Sequence, residues 1–323
     1  MARKIPVTIV TGFLGSGKTT LLARLLAQPG LGETAVIVNE LGEVAIDHHL
    51  LRRVDERTVL LANGCVCCSM RVDLADELRD LLERSARGEI PRFRRVAVET
   101  TGLADPAPIL ATLLSEPVVR HHFAPGAVVA TVDAVNGLAQ LARQPESLKQ
   151  AVVADRLVVT KADIAERADV EALVERLRGL NPLAAILEAS FGEVKPKALL
   201  APRAVGAGYI PPLHEDGEAH DHDVRAFSLV FDEPLDWTAF GIWLTMLLQS
   251  RGEDVLRVKG LLNVGGPGPL VLNGVQHVIH PPVHLDTWPD ADRRSRIVFV
   301  ARGVEPQAVE ASLRTFSRAA ATG

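Results

Sequence analysis

Gly12-Phe-Leu-Gly15-Ser16-Gly17-Lys18-Thr19 follows the apolar run Ile5-Pro-Val-Thr-Ile-Val10 and precedes Leu21, Leu22, Leu25 and Leu26 at helical spacing. Strand, glycine-rich loop and helix, in that order, are the setting in which G-x-x-x-x-G-K-[ST] cradles a polyphosphate. The glycines let successive N–H groups curl toward phosphate oxygens, and the new helix adds its positive N-terminal end. Lys18 supplies a point charge for the β- and γ-phosphates, and the Thr19 hydroxyl supplies a ligand for Mg²⁺. A bare strand-to-helix turn would need neither Lys nor Thr after its last glycine. Gly12, Gly15, Ser16, Gly17, Lys18, Thr19 and Thr20 are therefore the phosphate-binding candidates, with Lys18 also a catalytic one.

Two further patterns close apolar runs. The first is Glu99-Thr-Thr-Gly102-Leu-Ala-Asp105-Pro106, after Arg95-Val-Ala-Val98. An acidic residue at a strand end can hold Mg²⁺, usually through water. A glycine three residues on can offer its N–H to a γ-phosphate and report its loss. Asp is more usual at this place than Glu99, and the alternative reading is a capped turn before a helix starting near Pro106. The second is Thr160-Lys161-Ala162-Asp163, after Leu157-Val-Val159. It resembles the guanine-reading N-K-x-D, with Thr160 in place of Asn. The Asp163 carboxylate can accept from N1–H and the 2-amino group of guanine. Adenine would leave it desolvated and unpaired, at a cost of about 1–3 kcal/mol or more, so GTP is expected over ATP. The Lys161 stem can lie over the base.

All three cysteines fall within four residues, as Cys65, Cys67 and Cys68. An odd, clustered count argues against a disulfide framework and for a reducing compartment. Thiolates this close are soft ligands suited to Zn²⁺ or Co²⁺, with other divalent transition metals also accommodated. Three ligands leave a tetrahedral position open, which suits a transient site better than a structural one.

These groups need a scaffold that brings strand ends together. Strand-like runs at residues 6–10, 35–38, 58–61, 95–98, 127–132, 157–159 and 185–188 alternate with helical stretches such as 18–27, 73–86 and 169–180. That alternation predicts an α/β fold, a P-loop NTPase domain with a mainly parallel sheet, whose ligands bind at the carboxyl ends of strands. We assign this domain to residues 1–205. Residues 206–222 read as an acidic linker containing His214, His220 and His222, whose imidazoles could also feed a metal. Residues 223–323 read as a smaller α+β C-terminal domain, with strands at 224–231, 255–264, 275–279 and 296–300 and helices at 237–249 and 306–316. His277, His280 and His284 read as scattered sheet residues.

Composition fits an enzyme rather than a nucleic-acid or membrane binder. The chain has 323 residues, 47% hydrophobic, with net charge −5. There is no basic footprint for nucleic acid and no apolar run long enough for a membrane span. The start, Met-Ala-Arg-Lys and an apolar run, leads straight into the glycine loop without a small-residue cleavage site, so a cytoplasmic location is expected.

Four blocks together resemble the CobW-type metal-chaperone GTPases: residues 12–20; Val38-Asn-Glu40-Leu-Gly42-Glu43-Val44-Ala45-Ile46-Asp47; Gly64-Cys65-Val66-Cys67-Cys68; and residues 99–106. The likeness continues through Val258-Lys259-Gly260-Leu261 and Trp288, and so spans nearly the whole chain. It implies a low-turnover GTPase, cycling between GTP and GDP with Mg²⁺, that carries a transition metal to a client metalloprotein. It implies a C-terminal domain tied to client contact or regulation. It also implies that Glu40, Glu43 and Asp47 belong to a switch segment, with Asp47 orienting the attacking water. The transported metal would sit on Cys65, Cys67 and Cys68, with Glu40 or Glu43 adding an oxygen ligand. Leu41 and Ala45 stand where the family commonly has Phe and Gly. Analogy with related GTPases adds a nucleotide-dependent homodimer. Two rival classes are a metal-buffering or redox-sensing module with nucleotide as a structural ligand, and a small-molecule kinase, in which the cysteines would have no role.

Overall fold

The β-branched run of β1 (Ile5–Gly12) is buried on both faces along most of its length, as a central parallel strand requires. It is joined by β2 (Thr34–Glu40), β3 (Val59–Gly64), β4 (Arg95–Glu99), β5 (Phe123–Asp133), β6 (Arg156–Thr160) and β7 (Ala185–Glu188). They form a seven-stranded sheet in the order β3-β2-β4-β1-β5-β6-β7, every pair parallel. The computed structural model describes residues 4–29, 31, 33–40, 59–64, 70–189, 194–195, 199–200 and 224–321. The described chain divides into two compact units, one built on this sheet and one on an antiparallel sheet.

Helices α1 (Lys18–Leu26), α2 (Met70–Arg87), α3 (Ala107–Ser115), α4 (Pro117–His122), α5 (Gly137–Arg143), α6 (Pro145–Val153) and α7 (Arg167–Leu180) connect the strands. The leucines of α1 explain its place. Leu22 and Leu26 pack with Val10, Val36, Val38 and Ala97, while Leu21 and Leu25 pack with Ala127, Val129 and Val158. The helix therefore straddles β1, gripping the strands on either side of it. Each fully buried leucine contributes about 1.5–3 kcal/mol, so the start of α1 is fixed against the end of β1. After β1 the chain runs toward β2 and β3; after β4 it crosses to β5 on the other side of β1. That divergence opens a crevice at the carboxyl edge between β1 and β4.

In the second unit β8 (Val224–Phe231), β9 (Val255–Leu262), β10 (Leu270–Val275), β11 (Val278–Ile279), β12 (Val283–His284) and β13 (Ser295–Arg302) pair antiparallel, in the path β11-β10-β9-β13-β8 with β12 on β10. Helices α8 (Trp237–Arg251) and α9 (Pro306–Ala321) cover one face through Phe240, Trp243, Leu244 and Leu248 of α8 and Val309 and Leu313 of α9. Trp243 Nε1 donates to Ser312 Oγ at 2.7 Å, joining the two helices.

One expectation fails here. Residues 275–279 are not a single strand: Gln276 has φ 49° and starts the turn between β10 and β11. The turn signal in the sequence, Asn273-Gly274, instead lies inside β10, where a side chain at 274 would come within 2.7 Å of Val258. His277 is consequently a turn residue, with Nδ1 2.8 Å from Leu248 O at the end of α8. Only His284 of the three histidines lies in a strand.

Candidate functional site

Positive φ values at Gly12 (141°), Gly15 (70°) and Gly17 (87°) give the loop after β1 its curl, a conformation only glycine adopts readily. The loop is tied from outside as well. Ser16 Oγ and Thr131 Oγ1 on β5 share a buried hydrogen bond of 2.6 Å. Thr160 Oγ1, at the end of β6, donates to Ser16 O at 2.7 Å. The threonine that replaces asparagine in the T-K-x-D motif is thus a buried brace for the phosphate loop. Lys18 Nζ lies 3.0 Å from Gly12 O and 3.2 Å from Phe13 O, across the mouth of the same loop. Thr20 is exposed on the next turn of α1.

Thr19 and Glu99 meet as their types suggest. Thr19 Oγ1 donates to Glu99 Oε1 at 2.5 Å, and Glu99 is only 4% exposed. A hydroxyl and a carboxylate oxygen are hard donors of the kind Mg²⁺ takes, so the pair fits that ion beside a bound polyphosphate. The chain after Glu99 is anchored immediately. Thr100 N–H donates to Val10 O at 3.0 Å and Thr100 Oγ1 to Thr11 Oγ1 at 2.9 Å. Gly102 then lies directly on the phosphate loop: a Cβ there would fall 2.6 Å from Leu14 Cδ2 and 2.7 Å from Leu14 N. Any side chain at position 102 would collide with the phosphate loop.

The base motif brings in a residue that sequence reasoning missed. Lys161, at φ 58°, places Nζ 2.7 Å from Asp133 Oδ2 at the end of β5. Asp133 Oδ1 also accepts from Val135 N–H at 2.8 Å, and Oδ2 from Asn136 Nδ2 at 3.0 Å. Burial alone would push this carboxyl up; the Lys161 ammonium, the Asn136 amide and the Val135 N–H outweigh it and hold the carboxyl below its usual range. Its stabilising contribution is therefore present above the unfolded carboxyl value of about 4 and is lost as pH falls through the lower folded value. Nothing local announces the pair, because its members are 28 residues apart. Asp163 is exposed in the turn that follows Lys161. Asp133→Asn keeps an oxygen acceptor for the turn but removes the counter-charge that aims Lys161. We expect guanine-nucleotide affinity to fall roughly tenfold, about 1.4 kcal/mol, in a fluorescent-GDP titration. An unchanged Kd would mean Lys161 is aimed by something else.

The metal candidates Glu43, Cys65, Cys67 and Cys68 lie outside the described residues, as do the catalytic candidate Asp47 and the linker histidines. The described strand ends that precede them in sequence are Glu40, before Glu43 and Asp47, and Gly64, before the cysteines. Glu40 closes β2 and pairs with Gly64, the residue before Cys65, while two residues earlier Val38 pairs with Glu99. Adjacent strands lie about 4.8 Å apart, and Gly64 lies two strands across from Glu99 and two residues further along the sheet. Among the described residues, no group of three or more His, Cys, Asp or Glu could hold a metal ion. No described helix is long and apolar enough to cross a membrane.

Residues 6–188 match the model of the "CobW/HypB/UreG, nucleotide-binding domain", and residues 224–317 that of the "Cobalamin synthesis protein cobW C-terminal domain". The chain belongs to the CobW/HypB/UreG family. Within that family it is 33% identical over 316 residues to zinc chaperone YjiA of Escherichia coli K12, covering 95% of this chain and 97% of the relative. It is 32% identical over 355 residues to zinc chaperone CobW of Pseudomonas aeruginosa, covering 97% and 91%. The crystal structure of Zn(II)-bound YjiA GTPase from E. coli superposes with a TM-score of 0.76 at 28% identity, covering 97% of this chain and 99% of that one. Both units therefore recur in a solved member of the family.

Proposed function

We propose that this chain is a GTP-hydrolysing metallochaperone that carries Zn²⁺ as cargo on Cys65, Cys67 and Cys68 and delivers it to a client protein. The observation that carries this reading is the register that runs β3-β2-β4 beside β1. It sets Gly64 against Glu40 and Val38 against Glu99, whose carboxylate accepts from Thr19 of α1. In this reading cargo and nucleotide share one edge of the sheet, an arrangement supported by the pairing of Gly64, the residue before Cys65 in sequence, with Glu40. The choice of zinc is supported by two relatives called zinc chaperones and by a Zn(II)-bound crystal structure of one of them.

The loop amides and Lys18 bind and orient the β- and γ-phosphates, spending no reorganisation at the moment of reaction. Thr19 and Glu99 would hold Mg²⁺, which would supply neutralisation of the phosphate charge. Thr160 and Thr131 keep the phosphate loop rigid from below. Lys161, aimed by Asp133, and Asp163 select guanine. Glu43 and Asp47 belong to the segment between β2 and β3, and Asp47 orients the attacking water. Loss of the γ-phosphate releases the segment after Glu99 and, through β2, alters the cysteine geometry. Coupling of about 1–3 kcal/mol would change metal affinity 5- to 150-fold.

Steady-state hydrolysis of GTP and ATP, with and without Zn²⁺, tests this reading. GTP turnover at least tenfold above ATP turnover, with a Zn²⁺ response lost in a Cys65/Cys67/Cys68→Ser variant, is expected. Absence of hydrolysis under every condition would leave a metal-buffering protein with nucleotide as a structural ligand. Transfer of phosphate to an organic acceptor would make it a kinase.

A further inference from the structure

Gln150 sits in α6, 1% exposed, and no part of the nucleotide or metal chemistry described above uses it. Its amide nitrogen makes two hydrogen bonds, both to the loop that follows Glu99. Nε2 donates to Gly102 O at 3.1 Å and to Ala104 O at 2.9 Å. Its Oε1 is buried and accepts no hydrogen bond among the described residues. A buried amide normally satisfies both ends. Here the two donors are committed to one short loop and the acceptor is idle.

We propose that Gln150 is a positioning residue that latches the loop after β4 against the phosphate site, so that this loop can register the γ-phosphate. The geometry supplies three links. Thr100 fixes the start of the loop to β1, through Val10 O and Thr11. Gly102 is in contact with Leu14 of the phosphate loop. Gln150 fixes the far side by holding two carbonyls of the same turn. In a trans peptide the N–H points opposite to the C=O. Turning the Gly102 and Ala104 carbonyls onto α6 therefore turns the Leu103 and Asp105 N–H groups away from it. A carboxylate or an apolar chain at position 150 could not do this, since only a two-proton donor serves two carbonyls at once. The idle Oε1 gives the loop a second arrangement: a shift that brings one of its N–H groups to Oε1 exchanges one bond for another instead of losing one. A loop with two such arrangements is the kind of bistable element that nucleotide state can bias.

This inference rests on the loop after Glu99 being the nucleotide-sensing segment, and the test separates the two. In the full-length wild type, hydrogen exchange of residues 100–105 is measured with a non-hydrolysable GTP analogue and with GDP. Slower exchange with the analogue is expected; equal exchange overturns the sensing role itself. Gln150→Met, of similar size but without donors, is then compared by kinetics and exchange. We expect kcat for GTP to fall at least tenfold, KM and GDP affinity to stay within threefold, and the exchange difference between the nucleotides to vanish. Retention of that difference with unchanged kcat overturns the latch while leaving the sensing segment intact. A parallel loss of nucleotide affinity and thermal stability makes Gln150 a packing residue and also overturns it. Should Gln150→Met fold poorly, Gln150→Leu, also without donors, takes its place in the same comparison with the same deciding outcomes.

Discussion

Lys18→Ala removes GTP hydrolysis, lowering kcat/KM by about 10³-fold or more, some 4 kcal/mol of transition-state stabilisation. Removing one neutral donor to a developing oxyanion already costs about 10²–10³-fold, and Lys18 contributes a full charge. Its ammonium lies across the carbonyls of Gly12 and Phe13, where the phosphates of a bound nucleotide would pass. The other side chains of the loop and the first turn of α1, Ser16, Thr19 and Thr20 among them, are neutral, so none of them replaces it. The fold should be spared, because Lys18 opens α1 and the helix is held by Leu21, Leu22, Leu25 and Leu26. The check is single-turnover hydrolysis together with thermal melting. A loss below tenfold would mean that the charge on the phosphates comes from elsewhere.

Gly12→Ala is the second large effect, and it acts on structure first. Gly12 has φ 141°, a region essentially reserved for glycine. A Cβ there would sit 2.2 Å from Thr131 Oγ1, 2.5 Å from Thr131 O and 2.7 Å from Ser16 Oγ. Thr131 is its register partner on β5, so the clash is with a neighbouring strand of a buried sheet and cannot be relieved by a flexible chain end. The strain and overpacking together cost about 3 kcal/mol or more, a fall in Tm of roughly 6–12 °C. They also break the Ser16–Thr131 bond, so nucleotide affinity falls at least a hundredfold. Gly15→Ala is the internal comparison. Gly15 has φ 70°, and a Cβ placed there would meet no heavy atom within 4 Å, so only the left-handed backbone cost of about 1–2 kcal/mol applies. Equal melting temperatures for the two variants would contradict the close approach of β1 and β5 at this point.

The phosphate loop was legible because its information is local: three glycines, a lysine and a threonine occupy fixed places between an apolar strand and an apolar helix. Glu99 was legible for the same reason, as an acid at a strand end, and Thr19 is its hydrogen-bond partner. Gly102 was read as a γ-phosphate reporter, and the packing on Leu14 gives that glycine a steric reason. Asp133 closes β5 as Glu99 closes β4, but no glycine stands three residues after it, and Gln150 is a glutamine in an amphipathic helix; each meets its partner only when distant segments fold together. Thr160 was read only as the residue standing for Asn in the base motif; its hydroxyl donates to Ser16 O, 144 residues away in the chain. In the second sheet Asn273-Gly274 carries the stronger turn signature, yet tertiary pairing with β9 keeps it extended and moves the turn to Gln276. Cys65, Cys67 and Cys68 lie outside the described residues, so their part in the site rests on the sequence.

In the proposed cycle nucleotide state gates metal affinity. The most direct measurement is Zn²⁺ affinity with a GTP analogue and Mg²⁺, with GDP and Mg²⁺, and without nucleotide, using the Cys65/Cys67/Cys68→Ser variant as control and Co²⁺, Ni²⁺ and Fe²⁺ as competitors. Affinity that differs 5- to 150-fold between the analogue and GDP, and is lost in the variant, is the predicted result. Identical affinity in all three nucleotide states would make the cysteines a static site and contradict the account.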